Sequence, residues 1–315
     1  VEDQAPASIC DGDVQVDDDS VLQEMTSCTR ILGTLAIEEL DGISSISLPE
    51  LRAVEGDLKI ASNSLLQSVE LPNLETVGVS MLVRDNAALV DLRLSALVEV
   101  PGDLHIRNND LLESLDLSSL LSACTVPESH EGPTYSLMIS SNDSLLTLDG
   151  LSNLFAAPGG VEIRNNPRLA SLEGLSNLVD GYSISVSESS SLVCLCGLES
   201  FAGRSIGIFD NDLLTNLEGL PTVDSLDSLT VSHCDSLLSF DGVSSLKLLS
   251  GLIIENNDSL SSLESLMNLE TIENSLFIQD NSCMSQLEAT SFAAAYDPSF
   301  SVEVENNGHL YPCAQ

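Results

Sequence analysis

The sequence predicts a mainly β fold, a parallel β-solenoid of about twelve coils. The main observation is a repeat, in which a strand-like apolar triplet is followed three residues later by a fixed position that is usually asparagine. Successive fixed positions lie 22 to 26 residues apart, with one gap of 33. They are Leu40, Asn63, Asn86, Asn109, Asn142, Asn166, Ser189, Asn211, Cys234, Asn257, Asn281 and Asn307. Because the repeat covers nearly the whole chain, each coil is expected to be buried by its neighbours.

Each coil is predicted to consist of a strand, a turn and an irregular segment that leads back to the next strand. Counted from the fixed position as zero, positions −5 and −3 are apolar in every coil, which predicts a strand with one buried face. Leucine-rich positions near +3 and +6 follow. A buried asparagine at the turn can both donate and accept hydrogen bonds, so it is expected to satisfy the backbone of its own coil and of the next. Ser189 and Cys234 fill this position less well, so their coils are predicted to be locally weaker.

The chain divides into three predicted regions. Residues 1–32 are interpreted as an N-terminal cap with a short helix at about 18–25, residues 33–282 as the solenoid repeats, and residues 283–315 as the last coil and C-terminal cap. The gap of 33 predicts a loop insertion at about 121–135. An alanine-rich stretch at 289–296 predicts a short capping helix.

The eight cysteines indicate a disulfide-bonded protein. Cys10 and Cys28 bracket the segment before the first coil, and Cys283 and Cys313 bracket the last coil. Because an open solenoid exposes its core at both ends, each pair is predicted to form a cap disulfide. Disulfides imply an oxidising compartment, so the protein is expected to be extracellular or at the cell surface. Three pairings remain open for the other four cysteines, Cys124, Cys194, Cys196 and Cys234.

Composition excludes two classes of partner. The formal net charge is −39, and the chain contains only two lysines. Such a protein is expected to repel nucleic acid and anionic membrane surfaces. No run of 18 apolar residues is present, so no direct membrane insertion is expected.

The coil sequence resembles a known family. The repeat appears as Gly56-Asp-Leu-Lys-Ile-Ala-Ser-Asn63 and Gly102-Asp-Leu-His-Ile-Arg-Asn-Asn109, preceded by Cys28-Thr-Arg-Ile-Leu-Gly33. Over about residues 10–313 it is similar to the receptor L-domain family. The resemblance implies a leucine-rich-repeat-like, right-handed β-helix, as found in growth-factor receptor ectodomains and in microbial surface arrays. It also implies a domain without a catalytic motif. The Cys-rich module between two receptor L-domains is missing here, so growth-factor binding and kinase coupling are not implied.

One column of the repeat is acidic. Position +7 reads Glu70, Arg93, Asp116, Asp149, Glu173, Cys196, Glu218, Asp241, Glu264 and Glu288. One interpretation is a row of weak Ca²⁺ sites, carried by Asp149, Glu173, Glu218, Asp241 and Glu264. The other, which we prefer, is a solvated edge, because no compact calcium loop of the Asp-x-Asp-x-Asp-Gly type is present. No cofactor is therefore expected beyond weakly bound Ca²⁺.

The outward positions −4 and −2 of the strands carry the candidate partner-binding residues. Four of the ten Lys and Arg residues fall there, together with a histidine, a methionine and three apolar residues. These candidates are Lys59, Arg84, His105, Arg107, Met138, Arg164, Phe209, Ile253 and Phe277. Arginine is suited to bidentate recognition of carboxylate or sulfate, so the cations predict a docking surface for an acidic partner, a polyanionic glycan or another copy of the chain. The alternative is charge relief on a sheet face, with the apolar residues reflecting β-propensity.

Three functions are compatible with the sequence. The first is a non-catalytic recognition or adhesion module that binds an extracellular protein or glycan with the exposed face of its parallel sheet. The second is a structural subunit of a cell wall, coat or filament. The third and least favoured is a β-helix enzyme acting on polysaccharide, because the sheet face lacks the clustered Asp residues that such chemistry needs.

Overall fold

The protein consists of parallel β coils, as the sequence predicts. The structure, a computed structural model, describes residues 8–40, 42–125, 136–296 and 301–308. The chain forms two compact units, Val1–Asn166 (unit 1) and Pro167–Gln315 (unit 2). Strands in each unit pair only in parallel within the described residues, and helices are few. The predicted fold class, a mainly β solenoid, is confirmed.

Among its described residues, unit 1 has eighteen strands and two short helices. The strands are β1 (Ser8–Cys10), β2 (Val14–Val16), β3 (Cys28–Ile31), β4 (Leu35–Glu38), β5 (Ser45–Ser47), β6 (Ala53–Val54), β7 (Leu58–Ala61), β8 (Ser68–Glu70), β9 (Thr76–Val77), β10 (Met81–Arg84), β11 (Asp91–Arg93), β12 (Glu99–Val100), β13 (Leu104–Arg107), β14 (Ser114–Asp116), β15 (Ser122–Ala123), β16 (Leu137–Ser140), β17 (Ala156–Ala157) and β18 (Val161–Arg164). The helices are α1 (Asp19–Met25) and a 3₁₀ turn at Asp149–Leu151.

These strands form three parallel sheets in unit 1. The main sheet has the order β2-β4-β7-β10-β13-β16-β18 and contains the strand before each fixed position. A second sheet has the order β1-β3-β6-β9-β12-β15-β17, and a third the order β5-β8-β11-β14. Each coil therefore contributes one strand to the main sheet, and equal positions in successive coils lie side by side.

The N-terminal cap has the predicted helix and disulfide. Helix α1 starts after Asp18, whose carboxylate accepts hydrogen bonds from the backbone N–H groups of Ser20 and Val21. Such an N-cap satisfies donors that the first helical turn leaves without partners. The Cys10–Cys28 disulfide joins β1 to β3 and is confirmed. The loop insertion predicted at about 121–135 overlaps β15 at its start, and residues 126–135 lie outside the described part of the chain.

Unit 2 repeats the same coil with longer strands. Its strands are β19 (Asp180–Gly181), β20 (Ser183–Ser187), β21 (Ser205–Phe209), β22 (Ser225–Ser232), β23 (Leu248–Glu255), β24 (Thr271–Gln279) and β25 (Ser301–Glu305). Strands β20 to β25 form its main sheet in sequence order. Its helices are 3₁₀ turns at Glu173–Leu175 and Glu264–Leu266, and α2 (Gln286–Ala293). Helix α2 starts before the predicted 289–296 because the Ser285 hydroxyl caps it by accepting from the Glu288 N–H.

The asparagines at the fixed position form a buried ladder in unit 1. The Nδ2 group of Asn109 donates to the carbonyl oxygens of Val83 (3.1 Å) and Arg107 (3.0 Å) and to Oδ1 of Asn142 (3.2 Å). Its Oδ1 accepts from the backbone N–H (3.2 Å) and Nδ2 (3.1 Å) of Asn86. The side chain is fully buried. One amide thus links its own coil to the coils on both sides, whereas the sequence predicted links to its own coil and the next coil alone.

Every residue directly before a fixed position has left-handed backbone geometry. These twelve residues have φ between 51° and 58° and are Glu39, Ser62, Asp85, Asn108, Ser141, Asn165, Glu188, Asp210, His233, Asn256, Asp280 and Asn306. None is glycine, although glycine adopts this geometry most readily. Asn and Asp tolerate it better than other residues, which agrees with seven of the twelve positions. The turn is therefore fixed by backbone geometry that many side chains share.

Two positions of the ladder in unit 2 are filled by Ser189 and Cys234 instead of asparagine. Ser189 Oγ and Cys234 Sγ each contact the carbonyl of the residue two positions earlier in their own coil, at 3.3 and 3.6 Å. By contrast, Asn257 Nδ2 reaches Val231 O (3.0 Å) in the preceding coil and Oδ1 of Asn281 (3.3 Å) in the next. That the coils with Ser and Cys are locally less stable remains a prediction.

The structure shows the bonding state of the four cysteines whose pairing the sequence left open. Cys194 and Cys196 form a disulfide with each other. Cys124 and Cys234 are free and buried. Cys283 is disulfide-bonded, but its predicted partner Cys313 lies outside the described residues, so the C-terminal cap disulfide stays a prediction.

Candidate binding surface

The six candidates of unit 1 lie together on the outer face of its main sheet. We call Lys59, Arg84, His105, Arg107, Met138 and Arg164 the basic patch. Strand pairing places Lys59, Leu82, His105 and Met138 in one row across β7, β10, β13 and β16. A second row runs from Arg84 through Arg107 and Ser140 to Arg164.

Arg84 and Arg107 are direct neighbours on adjacent strands. Parallel strands lie roughly 4.8 Å apart, so this register brings two like charges close together. Such pairs are unfavourable unless a counter-charge lies nearby. Arg84 has one, because its Nη1 lies 2.7 Å from the Asp85 carboxylate. Asp85 also accepts a hydrogen bond from Asn108 Nδ2 at 2.7 Å, and this bond, followed by the contact with Arg84, keeps the pKa of Asp85 low.

Arg107 is different, because no ion pair joins it to any residue that the structure describes. Its Nε–H is buried and has no hydrogen-bond acceptor there. A buried donor without a partner costs about 1–3 kcal/mol, so such groups are rare in folded proteins. Arg107 therefore has a hydrogen-bond donor, its Nε–H, for which no described residue provides an acceptor.

The positive charge of the patch is smaller than the sequence alone suggests. Lys59 Nζ pairs with Asp57 at 3.0 Å, and His105 Nε2 lies 3.6 Å from the Asp103 carboxylate. Burial, more than the opposing effect of Asp103, lowers the pKa of His105 and so disfavours its charged form. The cations that remain on this face are Lys59 and the three arginines.

Asp57 and Asp103 occupy position −6, which the sequence reasoning did not single out. Their carboxylates accept hydrogen bonds from the backbone N–H groups of Ser80 (3.1 Å) and Ser136 (3.0 Å) in the following coils. Position −6 alternates between Asp and Ser from Asp57 to Ser136. That alternation is the signal in the sequence that could have revealed the two aspartates beside the cations.

The three apolar candidates belong to unit 2. Ile253 and Phe277 are neighbours on β23 and β24, and Phe209 lies on β21. All three side chains are half-buried. The Phe209 ring lies close over Gly207, where an added Cβ would meet its edge at 2.5 Å. The apolar residues therefore contribute less exposed surface than their outward positions suggested.

The acidic residues at position +7 are not gathered into a metal site. Within the described residues, no group of three or more His, Cys, Asp or Glu side chains could hold a metal ion. Asp149, Glu173, Glu218, Asp241 and Glu264 are all exposed. Hydrogen bonds from the hydroxyl of Ser265 and from Ser239 lower the pKa of Asp241.

We expect calcium to bind this column only as a diffuse counter-ion. Titration of the full chain with CaCl₂ in a calorimeter should give no saturable heat, and the melting temperature should not rise at physiological salt. The reason is that exposed, separated carboxylates do not replace the water around Ca²⁺. Saturable heat that disappears after replacing Asp241 and Glu264 with Asn and Gln would show that the column is a calcium site.

The geometry of the coils and their exposed sheet define a leucine-rich-repeat-like β-solenoid, and comparison with protein families agrees. Residues 27–93 match the family model described as Receptor L domain. This match confirms, over that segment, the resemblance seen in the coil sequence. Receptor L domains are non-catalytic, ligand-binding domains of extracellular ectodomains, and they bind protein ligands. Comparison with curated proteins gave no match. None of the described helices is long and apolar enough to span a lipid bilayer.

Proposed function

We propose that this protein is an extracellular, non-catalytic recognition module that binds an acidic protein partner through the basic patch of unit 1. The observation that carries the proposal is the in-register pair Arg84 and Arg107, of which Arg107 forms no ion pair and has a buried Nε–H without an acceptor among the residues that the structure describes. A carboxylate from a partner would pair with the guanidinium of Arg107 and offset its repulsion with Arg84.

The family supports a protein partner over a glycan. The matched segment 27–93 contains Lys59 and Arg84, so part of the patch belongs to the receptor L domain itself. A patch of separate cations on a protein of charge −39 also favours a ligand that approaches in one orientation. Long polyanions would meet repulsion from the acids around the patch, including Asp57 and Asp103.

Replacing Arg84, Arg107 and Arg164 with Ser should weaken partner binding by at least about 100-fold, because charged pairs at an interface centre contribute several kcal/mol. Wild-type and variant chains would be immobilised and exposed to a surface-protein extract from the source cells. Proteins retained by each would be quantified by mass spectrometry. The partner is the acidic protein that the wild type retains and the variant loses, and its affinity would then be measured with purified protein.

The matched control replaces Arg30, Arg52 and Arg93 with Ser. These three exposed arginines of unit 1 lie outside the patch and form ion pairs with Glu55, Glu75 and Asp91. The control changes net charge by the same amount, so it should bind the partner like the wild type. Equal retention by both triple variants would discard the patch as the binding surface. Capture of the wild type, but not of the patch variant, by heparin resin alone would favour a polyanionic glycan instead.

The structural-subunit alternative predicts a different solution behaviour. A wall, coat or filament subunit should elute from a sizing column as species that grow with protein concentration. We expect a recognition module to elute as one species across concentrations, and to shift only when its partner is added.

A further inference from the structure

The Cys194–Cys196 disulfide in unit 2 links cysteines only two positions apart, whereas Cys10 and Cys28 are separated by 18. A cross-link stabilises a fold mainly by restricting the unfolded chain, and this effect grows with the length of the closed loop. The Cys194–Cys196 bond closes the shorter loop, so it restricts the unfolded chain far less than the cap disulfide does.

The surrounding coil fixes this segment without help from the disulfide. Leu195, between the two cysteines, is fully buried, and so is Leu192. The Cys196 carbonyl accepts a hydrogen bond from the Leu172 N–H at 3.1 Å in the preceding coil. The segment around the bond is therefore held by the packing of its leucines and by this backbone hydrogen bond, so the fold should survive opening of the disulfide.

The bond is also within reach of solvent. Cys194 and Cys196 are both half-buried at the surface of the coil. In the cap disulfide Cys28 is buried, with 1% of its surface exposed, and only Cys10 is half-buried, so an incoming thiolate can approach that bond from one sulfur alone. The free thiols are no competitors, because burial raises the pKa of both Cys124 and Cys234 to about 12. Such thiols react slowly, since the thiolate is the reactive form.

The two sulfurs of the exposed bond are not equivalent. The backbone N–H of Cys196 points at Cys194 Sγ at 3.0 Å. A hydrogen bond donated to a sulfur stabilises its thiolate, and the better-stabilised thiolate is the better leaving group. An incoming thiolate should therefore attack Cys196 Sγ and displace Cys194.

We propose that the Cys194–Cys196 disulfide is a thiol–disulfide exchange site of the folded protein and that its substrates are small cationic thiols. The thiolate RS⁻ attacks Cys196 Sγ, a bond forms between the two sulfurs, and the Cys194–Cys196 bond breaks with its electron pair on Cys194. A second RS⁻ then attacks the thiol's sulfur in this mixed disulfide and releases RSSR and the Cys196 thiolate. The protein disulfide is reduced, two thiols are oxidised to one disulfide, and both protein thiolates take protons from water.

Nearby acids set the preference for cationic thiols. The Glu199 carboxylate accepts a hydrogen bond from the Gly197 N–H at 2.9 Å, directly beside Cys196. Glu218 lies in the following coil, with its carbonyl oxygen 3.9 Å from Cys194 Sγ. The Glu199 carboxylate, together with the net charge of −39, repels anionic thiols and attracts cationic ones.

The test compares reduction rates in the native full chain. The chain would be treated briefly with cysteamine, blocked with iodoacetamide and analysed by peptide mass spectrometry. We expect Cys194 and Cys196 to be alkylated at least about tenfold faster than Cys10 and Cys28, with Cys124 and Cys234 protected. At early times the mixed disulfide should be found on Cys196. Reduction of both disulfides at one common rate, or a mixed disulfide found on Cys194, would overturn the proposal.

Two controls separate exchange from unfolding and from thiol reactivity. The variant Cys194→Ser/Cys196→Ser should melt within about 2 °C of the wild type, because the bond adds little stability. The rate of each thiol with the protein is divided by the rate of the same thiol with the neutral disulfide of 2-mercaptoethanol. This normalised rate should be at least about threefold higher for cysteamine than for 2-mercaptoethanesulfonate. That ratio should fall towards one at high salt. A ratio of one at low salt would reject the charge preference.

Discussion

Replacing Asn109 with Ala is expected to destabilise unit 1 by about 3–5 kcal/mol, one of the two largest effects of a single substitution that we expect. The substitution removes an amide that serves Val83, Arg107 and the asparagines of both neighbouring coils. Because the site is fully buried, no water replaces these bonds, and several polar groups lose a partner at once. Denaturant unfolding of wild type and variant measures the difference.

The control is Asn73→Ala in the same unit. Asn73 Nδ2 donates to the Pro49 carbonyl at 2.7 Å, but it does so at an exposed position. Water can replace that bond, so the loss should stay within about 1 kcal/mol. Hydrogen exchange adds a local readout, because the Asn86 amide donates to Asn109 Oδ1 in the wild type and should exchange faster in Asn109→Ala. Equal stability losses in the two variants would contradict the ladder as a major source of stability.

Replacing Gly78 with Ala should destabilise unit 1 by about 3 kcal/mol or more. A Cβ at this position would meet the Glu55 carbonyl oxygen at 2.1 Å and its carbonyl carbon at 2.7 Å. Both atoms belong to the backbone of the preceding coil, so the clash can be relieved only by moving two coils apart. Such a movement also lengthens the hydrogen bond from the Gly78 N–H to Val54 O, which is 2.8 Å long. Thermal melting of wild type and variant measures the loss.

Gly251→Ala provides the matched comparison in β23 of unit 2. There the added Cβ would meet only the Ser275 hydroxyl at 2.9 Å, a side chain that can rotate, and the next backbone atom lies 3.9 Å away. Alanine also has less freedom than glycine in the unfolded chain, so the net change should be within about 1 kcal/mol of zero. A Gly78→Ala protein that melts like Gly251→Ala would show that the coils are not held at the observed spacing.

The coil repeat was predictable because its signal is chemical identity at a fixed spacing. Asn63, Asn86 and Asn109 share one side chain, and the buried positions before them are always apolar. The left-handed residue before each asparagine was not predictable, because Ser62, Glu188 and similar residues share no chemistry. They share only a backbone angle that the turn imposes.

The binding surface was predictable in its placement but not in its electrostatics. Period-two alternation sufficed to place Arg84 and Arg107 on one face, and strand pairing agrees. The carboxylate contacts of Lys59 and His105 depend on Asp57 and Asp103, which directly precede strands β7 and β13 and were not among the outward positions −4 and −2. The Cys194–Cys196 bond was equally hidden, since the sequence left three pairings of four cysteines open, whereas the structure forms this bond and leaves Cys124 and Cys234 free.

The asparagine ladder also has a consequence for how such a chain can change its length. Asn63 N–H donates to Asn86 Oδ1, and Asn86 N–H donates to Asn109 Oδ1, both at 3.2 Å. Because the two steps are the same, deleting residues 64–86 would present Asn109 to Asn63 with the bond that Asn86 made before. A gene encoding this protein can therefore gain or lose whole coils by duplication or deletion and keep every rung of the ladder, whereas a change of a few residues inside a strand would break one.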